Sequence, residues 1–73
     1  MTDEELDELI LSRLRNRRER AARSEIGDAT QSPADMAACF NEPETRIEER
    51  VRVLAGETRI RESAAAPNRW MLA

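Results

Sequence analysis

The sequence contains no histidine, lysine or tyrosine, and it has only one cysteine, one phenylalanine and one tryptophan. The single cysteine, Cys39, cannot form an intramolecular disulfide. Without histidine, a zinc site would have to combine carboxylates with one thiolate, which is a poor ligand set for a structural metal. The scarcity of aromatic rings also removes the stacking platform of a typical single-strand binder. We therefore expect no metal, no other cofactor and no single-stranded nucleic acid.

Long apolar runs and a basic leader are missing as well. The residues after Met1 are Thr2-Asp3-Glu4-Glu5, which are acidic where a secretory signal would be basic, and no apolar run approaches membrane-spanning length. The sequence thus predicts a cytoplasmic protein that does not enter a membrane.

Catalytic motifs are equally absent. The chain has no G-x-S-x-G, no P-loop and no dinucleotide-binding fingerprint, and its carboxylates are spread along helix faces that we expect to be solvated. A three-helix domain of this size also has little room for a substrate pocket. The sequence therefore predicts a binding protein and not an enzyme.

What the chain does contain is enough for one small folded domain over residues 1–73. Apolar residues make up 40% of the sequence, and its 12 basic residues, all arginine, face 15 acidic ones for a net charge of −3. A core this small is thin, and oligomerisation is the one remaining means of reinforcing it. We expect a homodimer to form through the Leu9/Leu11 edge of the first helix.

The first predicted element is a helix over residues 1–23. Leu6, Ile10 and Leu14 recur every four residues, and Thr2 with Glu5 fits a capping box. Residues 24–31 are interpreted as a connection with Ile26 turned inward, although Ala29-Thr30 is compatible with a very short strand.

Two further helices are predicted within residues 32–56. Ser32-Pro33 is typical of a helix start, and Met36 and Phe40 lie one turn apart with Cys39 beside them, so we expect Cys39 to be a small core thiol.

After the break at Asn41-Glu42-Pro43, a second stripe is formed by Ile47, Val51 and Leu54. Gly56 is interpreted as the stop of this helix.

Residues 57–73 change to a period of two, which predicts a β-hairpin. Ile60 lies in the first strand, Pro67-Asn68 signals the turn, and Trp70 and Leu72 share one face of the return strand. We expect Trp70 to plug the core beneath the hairpin. The predicted fold class is mainly α, with three helices and a small β-hairpin.

This order of elements resembles the winged helix-turn-helix family. The resemblance rests on the segment from Ser32 to Phe40 as the first helix of the motif, on Asn41-Glu42-Pro43 as its turn, and on residues 43–55 as the recognition helix. Residues 58–72 then correspond to the wing, and the helix containing Leu6 and Leu14 to the supporting first helix. The turn lacks the glycine that the family usually carries, and the first connection is longer than usual.

The resemblance implies a small DNA-binding regulator or accessory protein, of the kind carried by phages and plasmids. Its recognition helix would lie in the major groove of double-stranded DNA, with the wing on phosphates. The implied DNA-binding residues are Thr45, Arg46 and Glu49 toward bases, Arg50 and Arg52 toward phosphates, and Arg59, Arg61 and Arg69 on one face of the wing.

The charge pattern also favours an alternative. Two of the three arginines of the predicted recognition helix have an acidic neighbour at helical spacing, as in Glu42/Arg46 and Glu48/Arg52. A surface that offers carboxylates to DNA loses the free energy that comes from neutralising phosphates. The second hypothesis is therefore a winged-helix protein–protein interaction module, an adaptor or inhibitor that engages a nucleic-acid-processing complex through its acidic helix.

Overall fold

Three helices precede a two-stranded antiparallel hairpin in the computed structural model, which describes residues 1–73. This confirms the prediction of a mainly helical chain with a small hairpin. The elements are α1 (Asp3–Ala22), α2 (Pro33–Phe40), α3 (Glu44–Gly56), β1 (Ile60–Glu62) and β2 (Trp70–Leu72). No helix is both long enough and apolar enough to cross a lipid bilayer.

Helix α1 begins at the predicted capping box. The backbone N–H of Glu5 donates to Thr2 Oγ1 at 3.1 Å, and the N–H of Thr2 donates to Glu5 Oε1 at 2.9 Å. The hydrogen bond from the Thr2 backbone, followed by the one from its side chain, lowers the pKa of Glu5. The helix ends where Ser24 adopts a left-handed conformation with φ of 60°.

Helix α2 begins at Ser32, whose side chain accepts from the N–H of Asp35, and ends at Asn41 with φ of 55°. The prediction that Cys39 belongs to the core is wrong, because its side chain is exposed. Pro33, Met36 and Ala37 are buried, and Phe40 is half-buried. At 3.6 residues per turn these four share one face, and Cys39 falls on the solvent side of Met36.

The end of α3 also differs from its prediction. Gly56 is the last helical residue and has a negative φ, so it does not stop the helix. The chain reverses at Thr58, with φ of 59°. The N–H of Thr58 donates to Ala55 O and that of Arg59 to Leu54 O, both at 3.0 Å, which is the pattern of a Schellman motif.

The hairpin pairs Ile60 with Leu72 and Glu62 with Trp70. The connection before α2 joins it through one antiparallel bridge, in which the backbone groups of Gln31 and Trp70 exchange hydrogen bonds of 3.0 and 2.9 Å. The strand pairing expected at Ala29-Thr30 therefore occurs one residue later, at Gln31. Ile26, which was expected to turn inward, is only half-buried.

The core lies between the three helices and β1, and it contains both predicted stripes together with further residues from α1, α2 and β1. Leu11 is 5% exposed and belongs to it, whereas Leu9 is 38% exposed, so the proposed Leu9/Leu11 dimer edge is reduced to Leu9. Trp70 and Leu72 are partly buried and pack against this core. The core residues are Leu6, Ile10, Leu11, Leu14, Met36, Ala37, Ile47, Val51, Leu54 and Ile60.

Candidate binding face of helix α3

Helix α3 is held against the start of α1 by a group of ion pairs that we call the clasp: Asp3, Asp7, Arg46 and Arg50. Arg50 binds Asp7 with two parallel hydrogen bonds, Nε to Oδ1 and Nη2 to Oδ2, each 2.8 Å. Its Nη1 also lies 3.3 Å from Asp3 Oδ2. The side chains of Arg50 and Asp7 are only 19% and 14% exposed. The hydrogen bond with Asp7, followed by the charges of Asp7 and Asp3, raises the pKa of Arg50.

Arg46 completes the clasp one turn earlier. Its Nη2 donates to the backbone oxygen of Met1 at 2.6 Å and to Asp3 Oδ1 at 3.3 Å, and its Nη1 donates to Glu42 Oε2 at 3.2 Å. The Glu42/Arg46 pair read from the helical spacing is thus present. Two of the side chains predicted to face DNA, Arg46 and Arg50, are directed toward α1.

The outward face of α3 consists of the residues that the clasp leaves toward solvent. Thr45, Glu49 and Arg52 are exposed, as the predicted contact role requires, and Glu44 is exposed beside them. Glu48 is half-buried. Neither it nor Glu44, Glu49 or Arg52 takes part in an ion pair. This face therefore presents three free carboxylates and one free guanidinium.

The three arginines predicted for the wing do not share one environment. Arg61 is exposed and unpaired, and Arg59 lies 3.9 Å from Glu57. Arg69 is directed into the molecule, where its Nε donates to Thr30 Oγ1 at 2.8 Å and its Nη2 to Thr30 O at 3.2 Å. The three therefore do not present one row of free guanidinium groups.

Arg69 belongs to a second network that joins the hairpin to the connection and to α2. Its guanidinium lies 3.7 Å from Asp35 and 4.0 Å from Asp28. Asp28 also accepts from the backbone and hydroxyl of Thr30, and this side-chain hydrogen bond is the largest cause that lowers the pKa of Asp28. These contacts explain Arg69 as a structural residue that fixes the position of the hairpin.

The basic second half of α1 is partly used in the same way. Arg13 Nε donates to Gln31 Oε1 at 2.9 Å, and Arg17 lies 3.6 Å from Asp28. Arg15 and Arg18 are exposed, and neither takes part in an ion pair. Only part of the arginine run is therefore free to contact another molecule.

Two grooves flank the outward face. The first, which we call the α3–hairpin groove, has a volume of about 310 Å³ and is lined by Pro33, Glu48, Val51, Arg52, Ala55, Asn68 and Trp70. The second, on the side of the clasp, measures about 440 Å³ and is lined by Asp3, Glu49, Arg50, Arg52 and Val53. Arg52 lines both grooves and so stands on the ridge between them. The first groove could not be read from the sequence, because its walls come from three distant segments.

Comparisons with known proteins add nothing to this geometry. No protein-family model, no curated protein and no solved structure matches the chain.

Proposed function

We propose that the chain is a winged helix-turn-helix domain that binds a protein partner through the outward face of α3. The order of elements supports the fold: α2, a turn at Asn41, α3 and then a hairpin that contacts the core. In this arrangement α3 corresponds to the family's recognition helix, and its outward face carries four charged side chains that take part in no ion pair: Glu44, Glu48, Glu49 and Arg52.

The observation that carries the proposal is the sign of that face. Glu44, Glu48 and Glu49 have no internal partner, whereas Arg46 and Arg50 are bound in the clasp. A surface with three free carboxylates and only Arg52 opposing them attracts a basic surface and repels phosphates. Proteins that bind nucleic acids carry basic surfaces, so we infer that the domain is an adaptor or inhibitor of a nucleic-acid-processing complex.

Binding of double-stranded DNA is the second candidate, and it is favoured by four exposed arginines that take part in no ion pair. Arg52 lies on α3 and Arg61 on β1, while Arg15 and Arg18 lie on α1. Nonspecific binding to a duplex depends on such free cations. Five of the predicted DNA-binding residues are exposed: Thr45, Glu49, Arg52, Arg59 and Arg61. Arg46 and Arg50 are engaged in the clasp and are not free to contact DNA.

A fluorescence-anisotropy titration with a random duplex of about 30 base pairs separates the two candidates. We expect no binding even at low salt, because the acidic face cancels the contribution of the free arginines. Micromolar binding that collapses as salt rises, and that weakens in Arg52→Ala and Arg61→Ala, would overturn the protein-binding proposal in favour of DNA.

Capture of partners with two matched variants tests the proposal directly. One variant neutralises the face (Glu44→Gln, Glu48→Gln and Glu49→Gln), and the other removes the same charge from the exposed side of α1 (Glu4→Gln, Glu8→Gln and Glu19→Gln). A true partner should bind the wild type and the α1 variant, and its purified form should lose affinity for the face variant at least about tenfold. An equal loss of affinity in both variants would mean that the partner responds to the net charge of the protein and not to the outward face of α3.

A further inference from the structure

We propose that the α3–hairpin groove receives an arginine side chain of the protein partner. This inference rests on the proposed function, because it specifies what the partner inserts beside the outward face. It concerns the groove alone, so it can fail while the acidic face still binds its partner.

The walls of the groove supply an apolar bed. Pro33, Val51, Ala55 and Trp70 line it, and they come from the start of α2, from α3 and from β2. Trp70 packs against the core but remains only partly buried, so part of the indole is accessible from the groove. An accessible tryptophan beside aliphatic carbons suits a long side chain that has a flat cationic end.

The polar groups of the groove select the charge of the occupant. Asn68 is engaged, since its Oδ1 accepts from the indole N–H of Trp70 at 3.1 Å and its backbone N–H donates to Glu62 at 2.6 Å. Glu48 is half-buried and has no ion pair, so its carboxylate is the free anionic acceptor of the groove. Arg52 lines this groove as well as the second one, where Asp3 and Glu49 also lie, and it forms no ion pair with Glu48.

The groove favours arginine over lysine. A guanidinium stacks on an aromatic face and binds a carboxylate with two parallel hydrogen bonds, whereas an ammonium is a compact and strongly hydrated point charge. The volume of about 310 Å³ is at the lower end of ligand pockets, which suits an inserted side chain more than a separate small molecule.

The test uses two capped peptides of equal length and charge, one alternating glycine with arginine and the other glycine with lysine. Each is titrated into the ¹⁵N-labelled full chain, and amide and indole N–H shifts are followed by NMR. Because Trp70 is the only tryptophan, its indole signal reports on the groove without ambiguity. We expect the arginine peptide to shift the Trp70 indole and the amides of Val51 and Ala55, with roughly threefold or greater preference over the lysine peptide.

Two variants locate the contact. Glu48→Gln should reduce affinity for the arginine peptide roughly threefold or more and abolish the preference over lysine, while Glu4→Gln, an equal change of charge on α1, should leave the preference intact. If both peptides bind equally and shift only residues near Glu44 and Glu49, the groove inference is wrong and the proposed function stands. If neither peptide shifts the Trp70 indole, the groove inference is also wrong, and the partner-capture experiment decides the proposed function independently.

Discussion

The two sides of α3 both carry charged residues, but the two sets differ in sign and in whether they are paired. On the side toward α1, Arg46 and Arg50 meet Asp3 and Asp7 at hydrogen-bonding distances. All of these side chains except Asp3, which is 62% exposed, are largely removed from solvent. On the outward side, the carboxylates and Arg52 have no partner. Helix α3 contains three glutamates and three arginines. It still presents an acidic surface, because two of its arginines, Arg46 and Arg50, are paired with α1.

The contrast between core and surface along α3 gives the largest expected effect. Ile47→Ala should lower the free energy of unfolding by about 2–5 kcal/mol, because Ile47 is fully buried and the smaller side chain leaves a cavity. Val53→Ala, at a site that is 41% exposed, should change it by less than about 0.5 kcal/mol. Denaturant titrations of both variants measure the difference, and equal losses would mean that α3 is not packed as described.

Breaking the clasp should have the next largest effect. Arg50→Ala removes the bidentate contact and leaves Asp7 without its partner, so we expect the melting temperature to fall by roughly 4–8 °C. Arg52→Ala, two residues away on the outward face, should lower it by no more than about 2 °C. Thermal melting followed by circular dichroism compares the pair. A similar shift in both variants would show that the clasp does not hold α3 to α1.

A substitution at the end of α3 should stabilise the fold. Thr58 is β-branched and adopts a left-handed conformation that favours glycine. Thr58→Gly should therefore raise the free energy of unfolding by about 1 kcal/mol, less whatever the Thr58 hydroxyl contributes by donating to Glu57 O at 2.6 Å. The control is Glu57→Gly, where φ is −85° and glycine should destabilise the fold. Destabilisation by both changes would contradict a strained Thr58.

The smallest effect is expected on the outward face itself. Glu49→Gln should leave the free energy of unfolding within about 0.5 kcal/mol of the wild type, since Glu49 is exposed and unpaired. Glu42→Gln should be slightly more destabilising, by about 0.5 kcal/mol, because Glu42 is paired with Arg46 at 3.2 Å. Chemical denaturation of the two variants tests this order. A larger loss in Glu49→Gln would show that the outward face contributes to folding and is not kept free for binding.

Local sequence signals predicted most of the helical framework. Thr2 with Glu5 and Ser32 with Pro33 located helix starts, because a cap depends only on residues within one turn. The stripes of Leu6, Ile10 and Leu14 and of Ile47, Val51 and Leu54 located the buried sides, since the period of a helix fixes which residues share a face.

Signals that depend on exact geometry were less reliable. Gly56 was expected to stop α3, but the left-handed residue that ends the helix is Thr58. Glycine is only the commonest residue at such positions, and a polar residue can occupy them at some cost. The apolar character of Cys39 predicts a core position, but its angle around α2 turns it to solvent.

The sequence by itself determined where the helices begin, which of their faces are buried and where the hairpin turns, because each of these depends on neighbours along the chain. Only the tertiary structure decided which charged side chains lack an internal partner and can contact another molecule. Arg50 meets Asp7 across 43 positions and Arg69 meets Thr30 across 39, and no local pattern marks either pair. The sequence indicates an acidic helix, but ion pairing is set by which helices pack together and at what angle, so only the folded chain shows that Arg46 and Arg50 are withdrawn from the outward face of α3.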